Sequence, residues 1–169
     1  MAICLFTFVD LYSRALATTS HLLAKGAAYA DEHGIPEAQM LDWRLIDDMN
    51  PLRFQVSIVC NFAVRWPARA AGLELPAEVD QQLTVAGFQK AIAARRAILE
   101  TLNETQFEGR DDVPVTFQIA PGMEPTLPAG QWLSVFATTN LHFHVSITYA
   151  ILRNKGVPLG KPDMFATGL

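Results

Sequence analysis

Apolar and small side chains recur every three or four positions along much of this chain, which is the spacing of helices that bury one face. One such segment covers 10–33 and is predicted to end before the Ile35–Pro36 step, since the residue before a proline avoids helical backbone. A short helix is predicted over 36–43. A third covers 51–72 and ends at its glycine, with a kink or break at Pro67.

The second half of the chain continues the pattern with two more helices and an irregular stretch between them. Thr84 is predicted to cap a helix with apolar positions through Leu102, and a final helix runs over 130–155. Between them, two proline-bounded runs around Pro121-Gly122 predict a two-stranded ribbon or an extended loop. Four long helices with one long crossing between the third and fourth predict an all-α fold, a four-helix bundle.

Composition sets the scale and excludes several classes of function. The chain has 169 residues, enough for one domain over 1–169, and 50% of them are hydrophobic against 18% charged. With so few charged residues for its surface, a domain of this size is expected to have an apolar cavity or a subunit interface. The net charge of −4, with no basic cluster, argues against nucleic acid as a partner.

The first fourteen residues and the cysteines bear on location. The opening MAICLFTFVDLYSR lacks a basic start and a cleavage site, and Asp10 interrupts its apolar run, so neither a signal peptide nor a membrane span is expected. Cys4 and Cys60 are far apart and lack metal-site spacing. This usage fits a reducing, cytoplasmic setting.

Two histidines in the segment NLHFH are the most conspicuous polar groups of the last helix. Positions i and i+2 point roughly 200° apart on a helix, so His142 and His144 cannot share one metal ion there. His144 falls with the apolar face of that helix and is predicted to point into the bundle. His142 falls on the more polar side with Tyr149 and is predicted to be partly exposed or in a subunit contact.

For His144 two interpretations stay open: a core imidazole satisfied by a neighbour, or a pocket histidine with a chemical role. Burial favours the neutral imidazole, which serves as a base or a ligand. A carboxylate partner would restore its basicity, and Asp47 or Asp48 are the candidates. Asn140 and Thr148, one turn away on either side, give this face a polar strip.

Two stretches of the chain resemble a known family. RLIDDMNPLRFQVSIVCNFA and, far downstream, TNLHFHVSITYAILRNKGVPLGKPD are similar to the signature regions of the domain of unknown function 1993 family, a DinB/YfiT-like group. The resemblance covers nearly the whole chain. It implies a DinB-like four-helix bundle, often a homodimer, with a pocket among the helices.

The resemblance also implies a question about metal. In the wider superfamily, one histidine of the second long helix and two of the last helix, at i and i+4, bind a divalent metal that activates a thiol or a water. Here Thr148 and Asn140 flank His144, and Asn61-Phe62 stands where some relatives have an Asp-His pair. A second ligand from His21 is an alternative, but no metal or other cofactor is expected.

The favoured hypothesis is a cofactor-independent enzyme. It would catalyse an isomerisation, a cyclisation or an elimination on an apolar, carbonyl-bearing biosynthetic intermediate. His144 would act as base or acid, oriented by Asp48 or Asn140, while Gln55 or Tyr149 bonds a developing oxyanion. Two alternatives are a non-catalytic ligand-binding or dimeric module and a metal-dependent transferase or hydrolase. The residues predicted to contact a substrate are Gln55, Phe62, Trp132, Asn140, Thr148 and Tyr149.

Overall fold

The computed structural model describes residues 4–165 and is built from four long helices, as the pattern predicts. The start of the N-terminal stretch (1–3) and the end of the C-terminal tail (166–169) lie outside the described residues. The helices are α1 (Thr7–Glu32), α2 (Glu37–Leu41), α3 (Leu52–Ala71), α4 (Val85–Glu100), α5 (Ala129–Gln131) and α6 (Thr138–Asn154), with 3₁₀ turns at Glu104–Phe107 and Lys161–Phe165. Strands β1 (Pro114–Thr116) and β2 (Thr126–Pro128) pair antiparallel.

Several helix ends follow the sequence signals. The Thr84 hydroxyl accepts from the Gly87 backbone N–H at 3.1 Å and caps α4. Gly72 ends α3 in the left-handed conformation that glycine adopts without strain, at φ 73°. The break considered at Pro67 does not occur, since α3 continues through it. Burial of Pro67 and of its neighbour Trp66 in the core offsets the lost backbone hydrogen bond.

The core lies where α1 packs on α3, α4 and α6, and where α3 packs on α6. Close approach of α1 and α6 depends on Gly26, because a Cβ there would lie 2.6 Å from Leu152 Cδ2. The helices are held by fully buried side chains that include Leu16, Leu22, Leu52, Phe88 and Ile92. This packing fixes the α3–α6 contact, which carries the candidate site.

A π-helical stretch at Trp132–Ala137 joins α5 to α6, which the sequence pattern does not predict. Its wider turn leaves the Leu133 carbonyl oxygen to accept from the Tyr12 hydroxyl at 2.9 Å and from the Thr138 hydroxyl at 2.9 Å. Burial raises the pKa of Tyr12 far above its ordinary value, so this hydroxyl stays protonated. The stretch is thereby anchored to α1 about two and a half turns before His142.

Within residues 4–165, no helix combines the length and the apolar character needed to cross a bilayer.

Candidate functional site

His144 lies on α6 against α3, and its partner there is Gln55. The distance from His144 Nδ1 to Gln55 Oε1 is 2.7 Å. Gln55 is buried and its Nε2 donates to the Asn50 carbonyl oxygen at 2.9 Å. Asn50 lies just before α3. The backbone at the start of this helix therefore orients the Gln55 amide, which in turn orients His144.

This chain of hydrogen bonds sets the tautomer of the imidazole. A backbone carbonyl only accepts, so the Gln55 atom facing Asn50 must be the NH₂ group, and the atom facing His144 must be the carbonyl oxygen. His144 Nδ1 is therefore the protonated nitrogen. Nε2 carries the lone pair, and within 4–165 it has no hydrogen-bond partner.

The surroundings of His144 are aromatic. Phe143 lies edge-on with ring centroids 5.2 Å apart, Phe54 lies at 6.0 Å and Phe62 at 6.4 Å. Desolvation in this half-buried position lowers the pKa of His144 to about 4. The imidazole is consequently neutral at physiological pH, as the sequence argument expects of a buried histidine.

The predicted orienting groups lie elsewhere. Asp47 and Asp48 are exposed in the loop before α3. Asn140 is turned back on its own helix, where Nδ2 donates to the Phe136 carbonyl oxygen at 2.8 Å. The loop and the helix start place Gln55, rather than a carboxylate, opposite the imidazole.

The remaining polar residues predicted to contact a substrate take different positions. Thr148 is buried, and its hydroxyl donates to the His144 carbonyl oxygen at 2.9 Å, a local bond within the helix. Tyr149 is half-buried and lies five positions after His144, which on a helix turns it well away. Gln55 makes hydrogen bonds through both ends of its amide, to the Asn50 carbonyl oxygen and to His144. Its role in the structure is therefore to orient the histidine.

Phe62 and Trp132 belong to an aromatic cluster beside the histidine. Trp132 is buried, donates its indole N–H to the Val115 carbonyl oxygen at 2.8 Å, and stacks on Trp66 at 5.4 Å between centroids. The hydrogen bond to Val115, which lies on β1, fastens the ribbon to the bundle. Phe62 and Trp132 also help to line two separate surface cavities, of about 130 Å³ and about 310 Å³; neither lining includes His144.

The other histidines of the described chain have partners outside this site. His142 is exposed, with Nδ1 at 3.0 Å from the Thr138 carbonyl oxygen, so the two histidines of NLHFH point apart as predicted. His21 Nε2 lies 2.8 Å from Asp163 Oδ1, next to Lys25. The latter pairing occupies one of the two ring nitrogens through which His21 could bind a metal ion.

The residues present do not fit the metal site that the superfamily resemblance implies. Phe62 stands at the ligand position of the second long helix, and the Asn140 and Thr148 side chains are bonded to backbone within α6. Across residues 4–165 no group of three or more His, Cys, Asp or Glu side chains is placed to hold a metal ion. The local donor set supports chemistry of a single imidazole.

Two features of the site are absent from the sequence prediction. The Asn50 carbonyl that fixes Gln55 is a backbone group, and no residue type encodes it. Phe54 and Phe143, adjacent to known site positions, could have been found because they flank Gln55 and His144 directly in the sequence.

The fold and the site together define a DinB-like helical bundle in which aromatic and amide side chains surround one histidine. A crystal structure of a DinB family member protein from Shewanella denitrificans matches with a TM-score of 0.86 and 29% identity, covering 95% of this chain and 90% of that chain. The family model for the domain of unknown function DUF1993 matches residues 6–165, and the chain belongs to that family. No curated protein matches.

Proposed function

We propose that this protein is a metal-independent enzyme that moves a proton on a small apolar molecule carrying a carbonyl group, with His144 as the base. The observation that carries the proposal is the Asn50–Gln55–His144 chain of hydrogen bonds, which presents the Nε2 lone pair with no protein partner in the described chain. A catalytic imidazole needs a hydrogen bond at one ring nitrogen that fixes its tautomer and leaves the other nitrogen free to take a proton.

The chemistry follows from the groups around the ring. The C–H bond next to the substrate carbonyl breaks, its proton forms a bond to His144 Nε2, and the electron pair moves to the carbonyl oxygen as an enolate. Gln55 Oε1 accepts from Nδ1–H and thereby stabilises the imidazolium that results. Return of the proton to another carbon completes an isomerisation.

The low proton affinity of the ring narrows the substrate class. With a pKa of about 4, His144 is a weak base, and a weak base efficiently deprotonates only an activated carbon acid. A carbon flanked by two carbonyl groups has this property. The phenylalanines around the ring supply apolar contacts for the rest of such a molecule.

Deuterium exchange tests the proposal without a known substrate. A panel of apolar ketones and β-keto esters is incubated in D₂O with the protein, and loss of the exchangeable α-proton is followed by mass spectrometry. We expect exchange above background with wild type and background exchange with His144→Ala. His142→Ala, two positions away and exposed, is the matched control and should keep full activity.

The pH profile gives the result that would count against His144 as the base. Catalysed exchange should be constant between pH 6 and 8 and should fall only toward the low pKa of His144, near 4. A rate that rises through pH 6.5, or equal exchange by wild type and a folded His144→Ala variant, contradicts the proposal.

A binding module without catalysis is the second candidate, favoured by the same weak basicity. At a pKa of about 4 the Nε2 lone pair accepts a hydrogen bond from a ligand O–H or N–H at neutral pH without taking its proton. This candidate predicts saturable binding of an apolar alcohol or amide that depends on His144, together with no exchange across the panel.

We further propose a homodimer that forms through exposed apolar side chains of the ribbon, the π-helical stretch and α6. Val135 and Phe143 are 60% and 51% exposed, and Met123 on the ribbon is 55% exposed. Exposed apolar groups of this size mark association surfaces. Light scattering with Val135→Glu should show a monomer, whereas Ile46→Glu, at a position also 60% exposed but in the loop before α3, should leave the mass unchanged.

We also propose a cytoplasmic location, because Cys4 and Cys60 are both free thiols.

A further inference from the structure

Arg69 occupies an unusual position on α3, away from the histidine. Its guanidinium carbon lies 4.7 Å from the centroid of the Trp66 ring and 4.8 Å from that of Phe117. The two rings meet edge to face, 5.0 Å apart at 69°, and form a corner around the cation. Cation–π contact of this kind fixes a guanidinium in place without using its N–H groups.

Among residues 4–165, those N–H groups have no polar partner. In the part of the chain that the structure describes, Arg69 makes neither a hydrogen bond nor an ion pair. Arg65, one turn earlier, is satisfied instead by the Pro76 carbonyl oxygen at 2.7 Å and by Glu78 at 3.3 Å. Desolvation, followed by the neighbouring Arg65 charge, lowers the pKa of Arg69. An anion placed here would relieve both effects.

A second set of unused donors lies in the same cavity. Asn61 Oδ1 accepts from the Val79 backbone N–H at 2.9 Å, which identifies the other end of the side chain as the NH₂ group. Among residues 4–165 that NH₂ group has no hydrogen-bond partner. Asn61 and Arg69 both line the cavity of about 130 Å³, so two kinds of donor face one space.

Apart from these donors and the ion pair of Arg65 with Glu78, this small cavity is apolar. Its walls include Ile58, Phe62, Trp66 and Phe117. A volume of about 130 Å³ is close to the roughly 150 Å³ that holds a single benzene ring in a protein interior. The cavity therefore suits one ring or a short aliphatic chain.

We propose that this cavity is a binding site for a small monocarboxylate, whose carboxylate accepts from the Arg69 guanidinium and the Asn61 NH₂ while its apolar body lies against Phe62. A planar carboxylate matches the guanidinium fork. Glu78 also lines the cavity, and its negative charge repels a dianionic phosphate more strongly than a monoanionic carboxylate. The cavity therefore favours a carboxylate over a phosphate.

The polar groups of this cavity lie apart from those of the proposed proton-transfer site, although Phe62 contributes to both. Gln55, which orients His144, and Arg69 lie on the same helix about 21 Å apart at about 1.5 Å per residue. A single-ring acid bound at Arg69 does not span that distance. The inference consequently stands or falls independently of the role of His144, and His144→Ala should keep full affinity for the acid.

Calorimetric titration with benzoate tests the site, with far-ultraviolet circular dichroism to check folding. We expect saturable binding to wild type, at least about tenfold weaker binding to Arg69→Gln, and unchanged binding to Arg153→Gln. Arg153 is exposed on α6, so its substitution removes the same charge and controls for general electrostatic attraction. Equal weakening by both variants, or no saturable binding to wild type, overturns the proposal.

Two further measurements keep the assignment testable if Arg69→Gln does not fold. Asn61→Asp retains an oxygen for the Val79 N–H but replaces the NH₂ group by a charged oxygen, and should weaken benzoate by at least about tenfold. Benzamide, which is the neutral analogue, should bind more weakly than benzoate. Phenyl phosphate binding more tightly than benzoate, or Asn61→Asp without effect, contradicts a carboxylate site.

Discussion

Two half-buried histidines of this protein have opposite kinds of partner. His144 on α6 faces an amide, with Nδ1 at 2.7 Å from Gln55 Oε1. His21 on α1 faces a carboxylate, with Nε2 at 2.8 Å from Asp163 Oδ1, and Lys25 shares that oxygen at 3.0 Å. An amide oxygen orients an imidazole and stabilises its positive charge less than a carboxylate does.

The consequences for the two regions differ accordingly. Around His144 the imidazole stays neutral and its second nitrogen remains available, which suits chemistry or ligand recognition. Around His21, hydrogen bonds from the histidine, from the Gly160 backbone N–H and from Lys25 hold the pKa of Asp163 well below its ordinary range. That cluster fastens the C-terminal 3₁₀ turn, Lys161–Phe165, to α1. The two histidines thus differ in partner: an amide leaves His144 Nε2 available, whereas a carboxylate ties His21 into a structural cluster.

The largest expected effect is the pH dependence of stability that originates at His144. Its pKa is about 6.5 in an unfolded chain and about 4 in the folded protein, so the unfolded chain binds the extra proton first as the pH falls. Stability from this source is complete above pH 6.5 and decreases toward pH 4. The gap sets an upper limit of about 3 kcal/mol, at about 1.4 kcal/mol for each tenfold change in proton affinity, because solvent screens part of the effect in a half-buried ring.

Urea unfolding at pH 7 and at pH 4 measures this term. Wild type should lose up to about 3 kcal/mol more than His144→Gln, whose amide has no proton to gain. His142→Gln is the matched control and should follow wild type. A wild-type loss equal to that of His144→Gln would show that His144 is not depressed in pKa.

Replacing the carboxylate of the other region comes next in size. Asp163→Asn removes the charge that pairs with His21 and Lys25, and should lower the free energy of unfolding by about 2 kcal/mol at pH 7. Because the pKa of Asp163 is depressed, its contribution is present above the ordinary carboxyl pKa near 3.8 and is lost as the pH falls further. Asp48→Asn, in an exposed loop, should change stability by less than about 0.5 kcal/mol at pH 7.

Converting one kind of partner into the other is a sharper way to break the comparison. Gln55→Glu places a carboxylate against His144 Nδ1–H and should raise the pKa of His144 by about one or more, worth about 1.4 kcal/mol. Following the ring protons of His144 by NMR across pH measures it. An unchanged titration would mean that the partner does not govern the proton affinity of this ring.

The smallest effect is expected at the second histidine of the NLHFH segment. His142 is exposed and bonds only to the Thr138 carbonyl oxygen of its own helix, so His142→Ala should change the free energy of unfolding by less than about 0.5 kcal/mol. Thermal and urea unfolding measure it. A loss above about 1 kcal/mol would place His142 in a contact such as a subunit interface.

The bundle could be predicted from the sequence because local signals and periodicity agree along the chain. The apolar spacing gives four helices, Thr84 and Gly72 mark ends, and the prolines around Pro121 mark the ribbon. The π-helical stretch could not be predicted. It depends on a tertiary contact, from the Tyr12 hydroxyl to the Leu133 carbonyl oxygen, which periodicity does not record.

The candidate site could be predicted only in part, for a similar reason. Helix geometry is sufficient to turn His144 inward and His142 outward, since both lie on one regular element. The partner of His144 depends on how α3 enters the bundle, which the sequence does not record. The structure places Gln55 there, whereas Asp48 is exposed in the preceding loop. The aromatic corner around Arg69 could not be predicted from the sequence, because Phe117 comes from a distant loop.

The state of the His144 ring is the property on which the proposed chemistry depends most. Long-range ¹H–¹⁵N correlation spectra of the imidazole report both the tautomer and the titration. We predict a neutral ring with the proton on Nδ1 at pH 7 and a pKa near 4. A proton on Nε2, or titration near 6.5, would contradict the account.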